Sequence, residues 1–196
     1  MKQIPILFYA LVFFFTACHN NPKNTEEKKQ EVAPTQAFME NLSALCNTQL
    51  RGTIQVHPQP ELIGTAVEFE FEECPEDEVR ILVEMPGKER TIIILTLLDD
   101  EILLKHDVRT ADMLPAPLTM YGGFSKETGT ARKQFFPIHN FGREMWPGFE
   151  AYAWEISFNA DGELEYKEIN EEMILKHYIF EVPNPQENEL SEGDDR

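Results

Sequence analysis

From Thr53 to the end of the apolar pattern, side chains alternate with a period of two. Val67, Phe69 and Phe71 alternate with Glu68, Glu70 and Glu72, and Val79, Ile81, Val83 and Met85 stand opposite Arg80 and Glu84. Only an extended strand repeats every two residues, and one apolar face beside one charged face is the mark of antiparallel sheet. The same reading covers 90–98, 102–109, 118–124, 132–136, 151–159, 163–170 and 178–182. Pro86-Gly87, Asp99-Asp100 and Ala160-Asp161-Gly162 punctuate these runs as turns. Many short antiparallel strands must hide their edges, by closing into a barrel or stacking as a sandwich. Long meander hairpins favour the barrel. The expected fold is therefore mainly β: an antiparallel, lipocalin-like barrel of about nine to ten strands. One helix precedes it, over Thr35–Asn47, with Phe38, Leu42 and Leu45 on one face, Thr35 as its cap and Asn47 as its terminator. The chain has 196 residues, 42% of them hydrophobic and 11% aromatic, enough for one such core but not for several large domains.

The first residues predict where the chain goes. Lys2 is followed by an apolar run, Ile4 to Phe15, far short of the about 20 residues that a spanning helix needs. It fits the core of a secretory signal. Phe15-Thr16-Ala17-Cys18 resembles the lipobox of bacterial lipoproteins, with Phe15 in place of the usual Leu. The resemblance implies a signal peptide over 1–17, a lipidated (palmitate-bearing) Cys18, and a membrane-anchored protein of the bacterial envelope. Residues 18–34 read as a polar tether, 35–183 as the barrel domain, and 184–196 as a disordered acidic tail. Cys46 and Cys74 remain as an even pair in an oxidising compartment, either a disulfide or two buried thiols. A net charge of -18 excludes nucleic acid as a partner, because phosphate would be repelled.

The densest polar cluster lies on one strand, Leu104-Lys105-His106-Asp107-Val108-Arg109. If Asp99-Asp100 closes a two-residue hairpin, Leu95 pairs with Leu104 and Ile93 with His106. His106 then points into an aliphatic face, while Lys105, Asp107 and Arg109 share the reverse with Arg90. His106 is either a hydrogen-bonded core histidine or a ligand contact at the rim or floor of the barrel. Tyr121, beside the paired glycines Gly122 and Gly123, lies at a corner where the backbone bends or a ligand approaches. The candidate ligand-binding residues are thus His106, Lys105, Asp107, Arg109, Tyr121 and Arg90.

Leu104 to Thr110, Thr119-Met120-Tyr121-Gly122-Gly123, Phe135-Phe136-Pro137 and Ala153-Trp154-Glu155-Ile156 also carry a resemblance. Together with Leu45-Cys46, Cys74 and Arg90-Thr91, they resemble a family of bacterial secreted proteins of uncharacterised activity. That family has an L-K-H-D-H-R-H stretch, a T-x-Y-G-G stretch, an F-P pair and a late tryptophan. The resemblance covers most of residues 38–170 and implies a single domain with a working disulfide. This chain has Val108 and Thr110 where the family has histidine, and Asn47 where it has glycine.

Chemical signatures are otherwise sparse. His19, His57, His106, His139 and His177 are scattered, with no HxH or HxxxH pair, so no metal or other cofactor is expected. The acidic run from Glu72 to Glu78 lacks a glycine-bearing ligand loop and reads as a solvated turn. No G-x-S-x-G, P-loop or G-x-G-x-x-G occurs. Tyr152, Trp154, Ile156 and Phe158 alternate on one strand and build a core or line a cavity, while Trp146 and Phe149 sit in the long connection 138–150. The leading expectation is a non-enzymatic binder of a small apolar or amphipathic ligand. The alternatives are an interaction or scaffold protein with a packed barrel and, behind both, a hydrolase using His106 and Asp107.

Overall fold

The computed structural model describes residues 32–85, 90–139, 148 and 151–183. Helix α1 (Pro34–Ser43) is followed by β1 (Gln49–Val56), β2 (Ala66–Phe71), β3 (Glu78–Glu84), β4 (Arg90–Leu98) and β5 (Glu101–Arg109). Then come β6 (Tyr121–Phe124), β7 (Lys133–Pro137), β8 (Tyr152–Phe158), β9 (Leu164–Asn170) and β10 (Met173–Phe180). Each strand pairs antiparallel with its sequence neighbour except across β6 and β7, and β1 pairs with β10. The result is a nearly closed, lipocalin-like up-and-down barrel. Its seam between β6 and β7 is bridged by two main-chain bonds, Lys126 N–H to the Phe135 carbonyl (3.1 Å) and His139 N–H to the Gly122 carbonyl (2.9 Å). The paired glycines make that seam possible. A Cβ on Gly122 would overlap the Leu104 carbonyl, and one on Gly123 the Pro137 carbonyl. Bare backbone is what lets three strands crowd together there.

The β4 and β5 hairpin has the expected register. Leu98 pairs with Glu101, Leu95 with Leu104 and Ile93 with His106, and Asp99 takes the left-handed conformation the tight turn needs (φ 53°). At Asn159 the side chain accepts from the Asp161 and Glu163 amides, fixing the second predicted turn around Gly162.

Several boundaries differ from the sequence expectation, among them the strand expected over 118–124, which begins at Tyr121. The helix ends at Ser43 rather than Asn47, because residues 44–48 tighten into i to i+3 bonds that swing Cys46 towards the sheet. Its cap position is Ala33, not Thr35, and Pro34 fills the first turn, where a missing N–H costs nothing. The first strand begins at Gln49 and the last at Met173, both earlier than the alternation suggested. Asn47 does adopt the left-handed conformation (φ 63°), and Cys46 is joined to Cys74 by a disulfide with Cα atoms 5.9 Å apart. The signal peptide, Cys18 and nearly all of the tether, the acidic tail, the Pro86-Gly87 turn, Trp146 and Phe149 lie outside the described residues.

Antiparallel order places α1 and the connections after β2, β4, β6 and β8 at one end. The connections after β1, β5 and β9 lie at the other, the mouth. The helix closes its end with Phe38, Met39 and Leu42, all buried, and Asn41 donates to the Ala131 carbonyl (2.8 Å). Phe38 meets Phe158 edge-on at 6.4 Å. Behind it the interior is filled: Phe69, Phe71, Phe136, Trp154 and Phe180 are among the largest fully buried side chains. Phe69 and Phe180 stack at 3.8 Å. A ten-stranded barrel is wider than an eight-stranded one, whose side chains just fill it, and here large aromatic rings take up the extra width.

Candidate ligand site at the barrel mouth

The inward alternation continues to the mouth, but its chemistry changes. On β9, Leu164 is followed on the inner face by Tyr166 and Glu168. Tyr178 and Lys176 of β10 stand opposite them in register. On the far wall, His106 of β5 pairs with Tyr121 of β6. Trp154 of β8 pairs with Glu168. Four aromatic rings surround one imidazole or each other: His106 stacks on Tyr121 (4.9 Å) and leans on Trp154 (4.8 Å), and Tyr166 stacks on Tyr178 (5.6 Å). The Tyr166 hydroxyl lies 2.9 Å from His106 Nε2. Lys176 Nζ donates to Glu168 at 3.0 Å. A pocket of about 40 Å³ opens among His106, Tyr121, Tyr166, Glu168, Lys176 and Tyr178. A water needs about 10–15 Å³ by this measure, so the pocket holds a few waters or the polar end of something larger.

Burial sets the charge states. His106 is only 2% exposed. Desolvation, with a smaller push from Lys176, drives its pKa down to about 3, so the ring is neutral at physiological pH. The Tyr121 main chain pulls weakly the other way, and Nδ1 has no hydrogen-bond partner among the described residues. The same is true of the buried Trp154 Nε1. Burial and the Glu168 carboxylate hold Tyr166 and Tyr178 well above the usual phenol range, so both remain O–H donors. The mouth is thus a neutral aromatic cage with one ion pair at its edge.

The other expected residues lie elsewhere. Lys105, Asp107 and Arg109 alternate with His106 and face away from the interior. Asp107 is nevertheless buried, because residues 115–120 fold back along β5 and cover it. Arg109 grips its carboxylate from two nitrogens (2.6 and 2.9 Å) and Thr119 from a third direction (3.1 Å). Arg90 reaches Glu84 at 3.4 Å and the Met113 sulfur at 3.7 Å on the outer rim. The structure therefore brings His106 and Tyr121 together and leaves the four charged residues outside. His106 and Asp107 do not face one another, so the two cannot work as a dyad. Tyr166, Glu168, Lys176 and Tyr178 complete the cage, and none stood out in the sequence as a site residue. Among the described residues, no group of three His, Cys, Asp or Glu side chains is placed to hold a metal ion. No described helix is long and apolar enough to cross a membrane.

Fold and mouth together define a class, an antiparallel barrel filled with aromatic side chains and carrying a polar cage at one end. Comparison of the chain with protein-family models, curated proteins and solved structures found no match.

Proposed function

We propose that this is a non-enzymatic, lipid-anchored protein of the bacterial envelope that binds a small amphipathic ligand by its polar end in the His106 cage. One observation carries the reading. Two buried ring nitrogens, His106 Nδ1 and Trp154 Nε1, lack partners among the described residues; the two rings pack against each other, and His106 lines a pocket. Buried polar atoms without partners are rare in native proteins and call for an explanation, which a bound polar group would supply here. The indole N–H can only donate, so the ligand carries an acceptor oxygen. The filled interior leaves no room for an apolar tail below the cage, so the tail lies outward, towards the rim. The anchoring part of the reading rests on Cys18 and the apolar run before it.

The filled interior also favours the second reading, a packed barrel that acts through its loops, and one experiment separates the two. The chain from residue 18 onward, with Cys18→Ser, is purified from a bacterial periplasm and weighed by native mass spectrometry. Ligand binding predicts extra mass that disappears on organic extraction and is lost in Trp154→Phe. A bare mass from several preparations would overturn it in favour of the packed interaction protein.

A further inference from the structure

The described residues include eight exposed large apolar side chains, and six of them (Ile63, Met113, Leu114, Met120, Met173 and Ile174) belong to the mouth. Ile63 follows β1, Met113 and Leu114 form the tip after β5, and Met173 and Ile174 open β10 just past the turn from β9. Met120 lies just below that rim, its amide donating to the His106 carbonyl (2.6 Å). The tips after β1 and β9 lie side by side, because β1 pairs with β10, and the tip after β5 stands apart from them across β3 and β4, so they form an uneven crown rather than one patch. Single exposed apolar residues need no explanation, but a set confined to one end does. The opposite end is the more acidic: its connections after β2, β4, β6 and β8 carry nine acidic residues against Lys126 and Arg132, whereas the described mouth connections carry four, Glu61, Asp112, Glu171 and Glu172.

We infer that this crown docks the mouth flat onto a lipid bilayer. Three apolar tips around a ring can all meet a plane at once, which suits a membrane surface better than a groove-seeking protein segment. Methionine, with its flexible and polarisable side chain, adapts to such a surface. The acidic end then faces water, away from lipid phosphates. The geometry of the chain allows it. Thirteen residues lie between Cys18 and Val32 at the helix end, a reach of up to ~50 Å when extended. The barrel is only ~30 Å long, at ~3.3 Å per residue of β5. A chain anchored at Cys18 can therefore turn its mouth back to the same membrane. This goes beyond the cage reading and does not depend on any ligand being bound.

The test is flotation of the residue-18-onward chain carrying Cys18→Ser with vesicles of equal parts phosphatidylcholine and phosphatidylethanolamine. Without an acyl chain, only the protein surface can bind. The protein should float with the vesicles, and Leu114→Glu/Ile174→Glu should weaken binding by roughly a hundredfold, since each lost apolar burial is worth about tenfold or more. Both side chains are exposed, so the fold should survive, as circular dichroism would check. Leu98→Glu, at the acidic end, should leave flotation unchanged. Three results would overturn the inference: no flotation of the parent chain, equal flotation of the double variant, or a concentration-dependent dimer that the double variant abolishes. Trp154→Phe should float like the parent, which keeps failure of the cage distinguishable from failure of the crown.

Discussion

At its helix-covered end the barrel is closed by Phe38, Met39 and Leu42, apolar side chains that meet other apolar side chains. At its mouth the same inward positions hold His106, Tyr121, Tyr166, Glu168, Lys176 and Tyr178. The wall is continuous between them, so backbone geometry does not explain the difference. What changes is what each inward side chain has to satisfy. At the helix end the sealing side chains need only dispersion contacts, and among the described residues one buried polar atom there, Gln134 Oε1, lacks a partner. At the mouth each ring brings a polar atom that must find a partner, and two have none. One end holds the fold together and the other spends part of that stability on polar groups, as functional sites commonly do.

The apolar end should show the largest effect. Phe38→Ala should destabilise the protein by about 4 kcal/mol, through lost burial and the cavity left where the helix seals the barrel. Urea unfolding would measure it. Tyr121→Phe at the mouth should cost less than about 1 kcal/mol. Equal costs would mean that the helix only lies on the barrel. Next comes the Cys46–Cys74 bridge, which ties the segment after α1 to the end of the β2 strand. Replacing both cysteines by alanine should cost about 3 kcal/mol for a loop of this length. Thermal melts of the variant against the oxidised parent would show it.

Acid should destabilise the protein through the mouth. His106 has a folded pKa of about 3 against 6.5 when unfolded. Below pH 6.5 the unfolded chain therefore binds a proton that the folded chain refuses, and stability falls as pH falls, until the folded pKa is reached. The loss by pH 5 should be about 2 kcal/mol. His177, lowered by burial and by Lys167, acts with the same sign. Denaturation at pH 7 and pH 5 should show the slope in the parent and a shallower one in His106→Gln. An imidazole that titrates near 6.5 by NMR would remove the buried cage from the account.

The hairpin that carries His106 was legible because its two strands are long, strictly alternating and joined by two residues. That fixed the register, and with it which residues face inward. The opposite wall was not legible, for a local reason. The ladder between β9 and β10 slips between Ile174 and Lys176, so a bulge breaks the alternation where β10 enters the mouth. Pattern alone therefore starts the strand at Tyr178 and loses Lys176. On β9 the polarity is inverted near the mouth, where Glu168 is inward. A strand with glutamates on both faces does not announce which one is buried. The burial of Asp107 was hidden too, because it depends on the fold-back of residues 115–120 and not on β5 itself.

The smallest effect tests the cage most directly. With the Tyr166 hydroxyl donating to His106 Nε2, the proton of the neutral imidazole sits on Nδ1. Tyr166 keeps its proton because burial and Glu168 both oppose the phenolate. Tyr166→Phe preserves the ring, its stacking on Tyr178 and the volume of the core. It removes only the O–H that satisfies Nε2. The expected cost is about 1 kcal/mol, the range for leaving one buried acceptor unpaired. The ¹⁵N shifts of His106 should report an Nδ1–H tautomer in the parent. In the variant the proton should be redistributed between the two nitrogens, since neither is then held by a strong partner. An Nε2–H ring in the parent would reverse the direction of that bond and leave Nδ1 as a bare acceptor. The cage would then present one acceptor and one donor to its ligand, and a hydroxyl would fit it better than a carbonyl or carboxylate oxygen.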